Sequence, residues 1–134
     1  MSCLFMETKP AKDFSIGIVV PTIGHTNLLP FCLLSILGQQ FEGRVTVLVQ
    51  DGAQSARTAE TVKKYTRIAS DNFRVQYRCE EDSGPASAIN NGFRALDSDF
   101  FTWLGEDDFL MPGALQTVID LHRQTGADWV TGLP

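Results

Sequence analysis

The chain has 134 residues, 43% of them hydrophobic and 20% charged, a balance that fits one globular domain with a real core. Its formal net charge of -5 gives no attraction to nucleic acid or to an anionic membrane, so a phosphate-bearing ligand would have to be met locally, by backbone amides or a metal. Cys3, Cys32 and Cys79 are widely spaced and form no CxxC pair, which argues against a disulfide framework or zinc knuckle and suits a reducing compartment.

No apolar run reaches the roughly 18 residues of a membrane span, and "MSCLFMETKPAKDF" lacks the basic and apolar regions of a signal peptide. Residues 1–14 read as a leader of uncertain order and 15–134 as one domain of a cytoplasmic chain, free or peripheral to the inner face of a membrane. "SIGIVVPT", Ser15–Thr22, is a β-branched run ended by proline, the pattern of a strand buried on both faces. Residues 27–38 predict a helix, capped by Asn27, with Pro30 in its first turn and glycine at its end. Residues 44–52 predict a strand ending in Asp-Gly. An amphipathic helix over 55–69 follows, with Ala59, Val62, Thr66 and Ala69 on one face.

"FRVQYR", 73–78, alternates as a third strand. "DSGPASAINNGFRAL" predicts a helix capped by Asp82 or Ser83, in which Gly92 costs about 1 kcal/mol against alanine and implies close packing on a strand. Residues 99–105 predict a fourth strand with Phe101 and Trp103 in the core, 112–126 a helix opened by Pro112, and 128–132 a fifth strand. Strand and helix alternate four times, so the fold class is α/β with a mainly parallel, doubly wound sheet. Ligands of such sheets bind beyond the carboxyl ends of the strands, where the chain order reverses.

Each strand delivers a polar or acidic group to that rim: Pro21-Thr22, Asp51-Gly52, Glu80-Glu81-Asp82, and Glu106-Asp107-Asp108. Adjacent carboxylates about 6 Å apart repel by roughly 0.7 kcal/mol in water, and by several times that at an effective dielectric near 20. The "EDD" trio therefore suits either an open loop before a helix, where negative charge is favourable, or a cleft holding a cation. An all-oxygen site of this kind fits Mg²⁺ or Mn²⁺, held by Asp107 and Asp108 with phosphate and water completing the shell. Glu106 reads as the least constrained of the three, a solvated side chain. Asp51 is open to two readings, an acceptor for a nucleotide base or a cap on its own turn. The glycines form neither GxxxxGK[ST] nor GxGxxG, which argues against a P-loop NTPase or a typical dinucleotide enzyme. His25 reads as solvated and His122 as partly packed, and no Ser-His-Asp or Cys-His set can be assembled.

Four segments, "SIGIVVPTIGHTNLLPFCLLSILGQ", "VTVLVQDGAQSARTAETVKKY", "EEDSGPASAINNGF" and "FFTWLGEDDFLMPGAL", resemble in order and spacing the nucleotide-sugar-binding half of the family 2 glycosyltransferases, with their Rossmann-like GT-A fold. The resemblance implies that Pro21 and Thr22 line a nucleotide pocket, that Asp51 bonds the base, uracil in a UDP-sugar, and that Asp82 and Gly84 approach the nucleotide sugar. It implies that Asp107 faces the ribose or sugar and that Asp108, with Asp107, reaches a Mg²⁺ or Mn²⁺ ion on the diphosphate. Gln50 and Gly105 depart from the family, which often has aspartate at both positions. The resemblance also leads one to expect a saccharide or lipid-linked acceptor in polysaccharide biosynthesis, and an acceptor half with a catalytic base that has no counterpart in 15–134. The alternatives are a non-catalytic nucleotide-binding or oligomerisation module, pairing as a homo-oligomer through uncovered apolar surface, and a receiver domain, which would need acids where this chain has Pro21-Thr22.

Overall fold

The computed structural model describes residues 9–68 and 70–132, so Cys3 and the expected helix end at Ala69 lie outside the described residues. The charge-free run Ser15–Thr22 is strand β1, and its neighbours are β2 (Arg44–Asp51), β3 (Phe73–Cys79) and β4 (Phe100–Trp103), in the order β3-β2-β1-β4. All three pairings are parallel, with Thr22 opposite Asp51 and Asp51 opposite Cys79. Parallel register is what brings the polar strand ends to one rim.

The strand alternation divides the core into two layers. Ile16, Ile18, Val20, Val45, Val47, Val49 and Val75 point to one side, where they meet Leu33 and Ile36 of α1 (Leu29–Leu37), Val62 of α2 (Ala56–Thr66), and Leu115 and Ile119 of α4 (Ala114–Thr125). On the other side Val19 and Leu48 meet Phe93 of α3 (Pro85–Ala95) and Leu96, which follows it. Gly92 is the point of closest approach: a Cβ there would lie 2.5 and 2.6 Å from the two methyls of buried Val19. The close packing expected of Gly92 is present.

Several element ends differ from the sequence reading. Helix α1 begins at Leu29, not behind an Asn27 cap; the Leu28 N–H is met instead by the Thr26 hydroxyl at 3.3 Å, and burial of Leu29 with Pro30 in the first turn sets the start. Helix α3 is preceded by Gly84 at φ 125°, a conformation reserved for glycine, so neither Ser83 nor Asp82 is the cap; Asp82 Oδ1 accepts from the Gly84 N–H at 2.9 Å. Helix α4 starts after Gly113, two residues beyond Pro112.

Strand β4 is only Phe100–Trp103, and Phe101 and Trp103 are 44% and 54% exposed rather than core. They lie on the free-edge strand, on the side where α3 supplies the cover, and Phe101 gains only the edge of Phe93, 5.7 Å between centroids. Residues 128–132 form no strand. Packing begins before Ser15: a 3₁₀ turn at Ala11–Asp13 seats Ala11 and Phe14 in the core, and Lys9 pairs with Asp99 at 3.1 Å. Asp99 also accepts from the Ser15 N–H at 2.8 Å and hydroxyl at 2.9 Å; partial burial opposes its charge, but these contacts hold its carboxyl below the ordinary range. No helix among the described residues is long and apolar enough to cross a membrane.

Gly92→Ala is expected to lower stability by about 1–3 kcal/mol through overpacking against Val19, despite the roughly 1 kcal/mol that alanine adds to a helix. A urea midpoint at or above that of the parent would contradict the packing.

Candidate functional site

The chain order reverses at β1, which has β2 on one edge and β4 on the other. The crevice is therefore expected between the carboxyl ends of β1 and β4. There the backbone continues its pairing one step past β4, with Leu104 N–H to Val19 O at 3.0 Å. Glu106 then turns inward. It is 9% exposed, and its Oε2 accepts a 2.7 Å hydrogen bond from the hydroxyl of Thr22, itself 4% exposed. The Thr22 oxygen in turn accepts from the Gly24 N–H at 2.9 Å. The expectation of a solvated Glu106 is thus corrected. Its carboxylate borders a cavity of about 40 Å³ together with Leu29 and Pro30 at the start of α1 and Arg57 and Thr58 at the start of α2, room for roughly two or three waters. Helix starts favour negative charge, which offsets part of the cost of burying it.

Asp107 and Asp108 are exposed, on a turn closed by Asp108 N–H to Gly105 O at 3.0 Å. Both carboxylates curl back over Gly105: a Cβ built there would lie 2.8 Å from Asp108 Oδ2 and 3.0 Å from Asp107 Oδ1. Both oxygens therefore lie on the same side of Gly105. Among the described residues no group of three or more His, Cys, Asp and Glu side chains is clustered for a metal ion. Asp107 and Asp108 are two carboxylates, and one or two is the number with which Mg²⁺ is commonly held when phosphate and water complete its shell.

The underside of this loop is held by α1. Buried Cys32 donates to Gly105 O at 3.5 Å; burial first, then the charges of Asp108, Glu106 and Asp107, push its thiol up to about 12. Ser35 Oγ accepts from Leu110 N–H at 3.1 Å. Gln39 donates to Met111 O at 2.9 Å and accepts from Leu115 N–H at 3.2 Å, so it caps α4 from a distance of 76 residues in sequence. None of these supports was expected, although polar Ser35 within the otherwise apolar α1 and Gln39 just past its end are a signal.

Asp51 is 0% exposed and takes up the turn-capping role. Oδ1 accepts from Ala53 N–H at 3.0 Å, and Oδ2 from Ser55 N–H at 2.8 Å and the Tyr77 hydroxyl at 2.7 Å. The Tyr77 hydroxyl is pushed above its ordinary range, by burial first and then by Asp51 and Cys79. The same turn holds Gln54 at φ 55°, unusual outside glycine. Beside it the Asp82 carboxylate lies against Gly52, where a side chain would have to displace it. Gln50 is buried with both amide atoms unpartnered. Pro21, Thr22, Asp51, Asp82, Gly84, Asp107 and Asp108 thus all lie at one end of the sheet. His25 is exposed, and His122 packs edge-on against Phe14 and Phe100 at 5.6 and 4.8 Å, as expected of each.

A sequence model of the family Glycosyl transferase family 2 matches residues 17–134. A GalNAc(5)-diNAcBac-PP-undecaprenol beta-1,3-glucosyltransferase of Campylobacter jejuni is 30% identical over 106 residues, which cover 78% of this chain and 33% of that enzyme. Glycosyltransferase relatives from Rickettsia conorii and Rickettsia felis are 25% and 26% identical, and the chain spans 19% of their length. Among solved structures, S. aureus TarS 1-349 in complex with UDP-GlcNAc superposes with a TM-score of 0.69 at 20% identity, over 85% of this chain and 32% of that one. Mannosyltransferase PcManGT from Pyrobaculum calidifontis, in complex with GDP-Man and Mn²⁺, gives 0.67 at 18% identity, over 91% and 36%. These likenesses show the fold, a Rossmann-like GT-A arrangement.

Asp51→Asn would turn an N–H₂ group towards N–H donors that now share a carboxylate. The expected loss is about 2–3 kcal/mol, the cost of weakened charged hydrogen bonds and an unpaired buried donor. A urea midpoint within experimental error of the parent would contradict the turn-holding role.

Proposed function

The chain belongs to glycosyl transferase family 2, and from that premise we propose that its strand-end rim binds a UDP-sugar with Mg²⁺ or Mn²⁺, for hexosyl transfer to a saccharide or lipid-linked acceptor in polysaccharide biosynthesis. The observation that carries the reading is the convergence of Asp107 and Asp108 over Gly105, beside Thr22, at the point where the sheet order reverses. An acidic protein binding an acidic diphosphate needs that combination.

Pro21 and Thr22 line the nucleotide pocket. Asp51, fully buried, holds the β2–α2 turn against which the base would rest rather than bonding the base itself. Asp82 and Gly84 approach the sugar end of the nucleotide, with the glycine leaving backbone free for close approach. Asp107 orients the ribose or sugar, and Asp108, with Asp107, holds the ion. When bound, a divalent cation neutralises charge that builds on the departing diphosphate, which is Lewis-acid assistance. The residues of this chain bind and orient the donor; none is assigned the part of a base that activates the acceptor. UDP as the nucleotide is supported by the TarS complex, Mn²⁺ by the PcManGT complex, and a lipid-linked acceptor by the relative named for a PP-undecaprenol-linked saccharide.

Calorimetric titration of UDP with and without Mn²⁺ tests this. Metal-dependent heat is expected, weakened ten- to a hundredfold in Asp108→Ala, at least the loss that follows removal of supporting groups at metal sites. No metal-dependent heat, or none lost in the variant, would sink the reading. Absence of that heat together with concentration-dependent light scattering would favour instead a binding module that associates through exposed Phe101 and Trp103.

A further inference from the structure

We propose that Glu106 is a positioning residue, a latch that fixes the Asp107-Asp108 turn to the end of β1 so that the ion-holding pair and the base pocket keep one separation. The inference rests on the reading of the rim as a donor site. Its grounds are geometric. Glu106 is the one member of the acidic trio that is buried, and its hydrogen bond to Thr22 spans 84 residues of sequence across the reversal point of the sheet. Thr22 carries the lock further, through its bond from the Gly24 N–H, into the loop that follows β1. Asp107 is covalently next to the latch, and Asp108 is tied by its N–H to Gly105.

Two side-chain supports of the turn, Cys32 under Gly105 and Ser35 behind Leu110, come from α1. They fix the turn to the helix layer. Among the described residues Glu106 alone fixes it by a side-chain hydrogen bond to β1, the strand that faces the nucleotide. A ligand that touches both Thr22 and Asp108 gains from that pre-set distance, because the ordering cost has been met before it binds. A ligand that touches only the base pocket gains nothing from it. The predicted signature is therefore a coupling between the metal-bound end of the ligand and the base end.

Two readouts test the latch. The first needs no ligand: Cys32 is fully buried beneath Gly105, so its maleimide labelling in the native chain reports opening of the turn, resolved from the other cysteines by peptide mass spectrometry. Loss of a hydrogen bond to a charged acceptor corresponds to roughly a ten- to hundredfold change in an opening equilibrium. Glu106→Ala is expected to speed Cys32 labelling about tenfold or more by that measure, whereas Glu106→Gln, which still accepts from the Thr22 hydroxyl, stays within a few-fold of the parent. Thr22→Val should match Glu106→Ala, and the double variant should add little to either.

The second readout is binding. With Mn²⁺, Glu106→Ala should weaken UDP about tenfold, again the worth of one such bond, with Glu106→Gln restoring most of it and metal-free uridine binding unchanged in both. Cys32 labelling equal in Glu106→Ala and the parent, or equally fast in Glu106→Ala and Glu106→Gln, would overturn the latch. So would equal losses of uridine and UDP. A parent chain that binds no UDP would overturn the donor-site reading, while the labelling would still decide whether Glu106 holds the turn.

Discussion

Strand β1 has a hydrogen-bonded neighbour on both edges and helices against both faces, and the rest of the molecule is arranged around that double burial. Ile16, Ile18 and Val20 can only face the layer of α1, α2 and α4, and Val19 can only face α3. A slip of one residue would exchange these sets, so the register is strongly specified. Because the register is set, the position of Thr22 is set, and with it the place where the end of β4 meets the end of β1. The crevice is a consequence of strand burial before it is a feature of any loop.

The acidic trio shows how one charge pattern is divided by its surroundings. Glu106 goes inside, to a hydroxyl and the starts of two helices; Asp107 and Asp108 stay outside and converge over a glycine. In the proposed reading the inward carboxylate gives shape to the turn and the outward pair would hold a cation. Repulsion between the outward pair is not relieved by any basic partner: the ion pairs among the described residues are Lys9–Asp99, Lys64–Glu60, Arg78–Glu80 and Arg123–Asp120, all away from this turn. A metal and a diphosphate would relieve it together.

Much of this was legible in the sequence, for a physical reason. The β-branched apolar run of β1, the Asp-Gly at the end of β2 and the glycine in α3 are local signals of burial, turn and close approach, and each has its expected place. Side-chain direction at strand ends was not legible, since nothing local distinguishes the three acids of "EDD"; Glu106 is told apart only by Thr22, far along the chain. The same holds for Gln39, whose partners Met111 and Leu115 are supplied by the tertiary fold. The exposure of Phe101 and Trp103 depends on β4 lying at the sheet edge, which alternation does not encode. "DWVTG" has the composition of a strand, but composition does not provide the neighbour that pairing needs.

The most direct measurement is paramagnetic broadening of amide signals by substoichiometric Mn²⁺ in a ¹⁵N-labelled sample, with and without UDP. The account predicts UDP-dependent broadening centred on residues 105–109 and extending across the crevice to 22–24. Broadening that ignores UDP, or that centres on the opposite end of the sheet near Arg44 and Arg74, would contradict it.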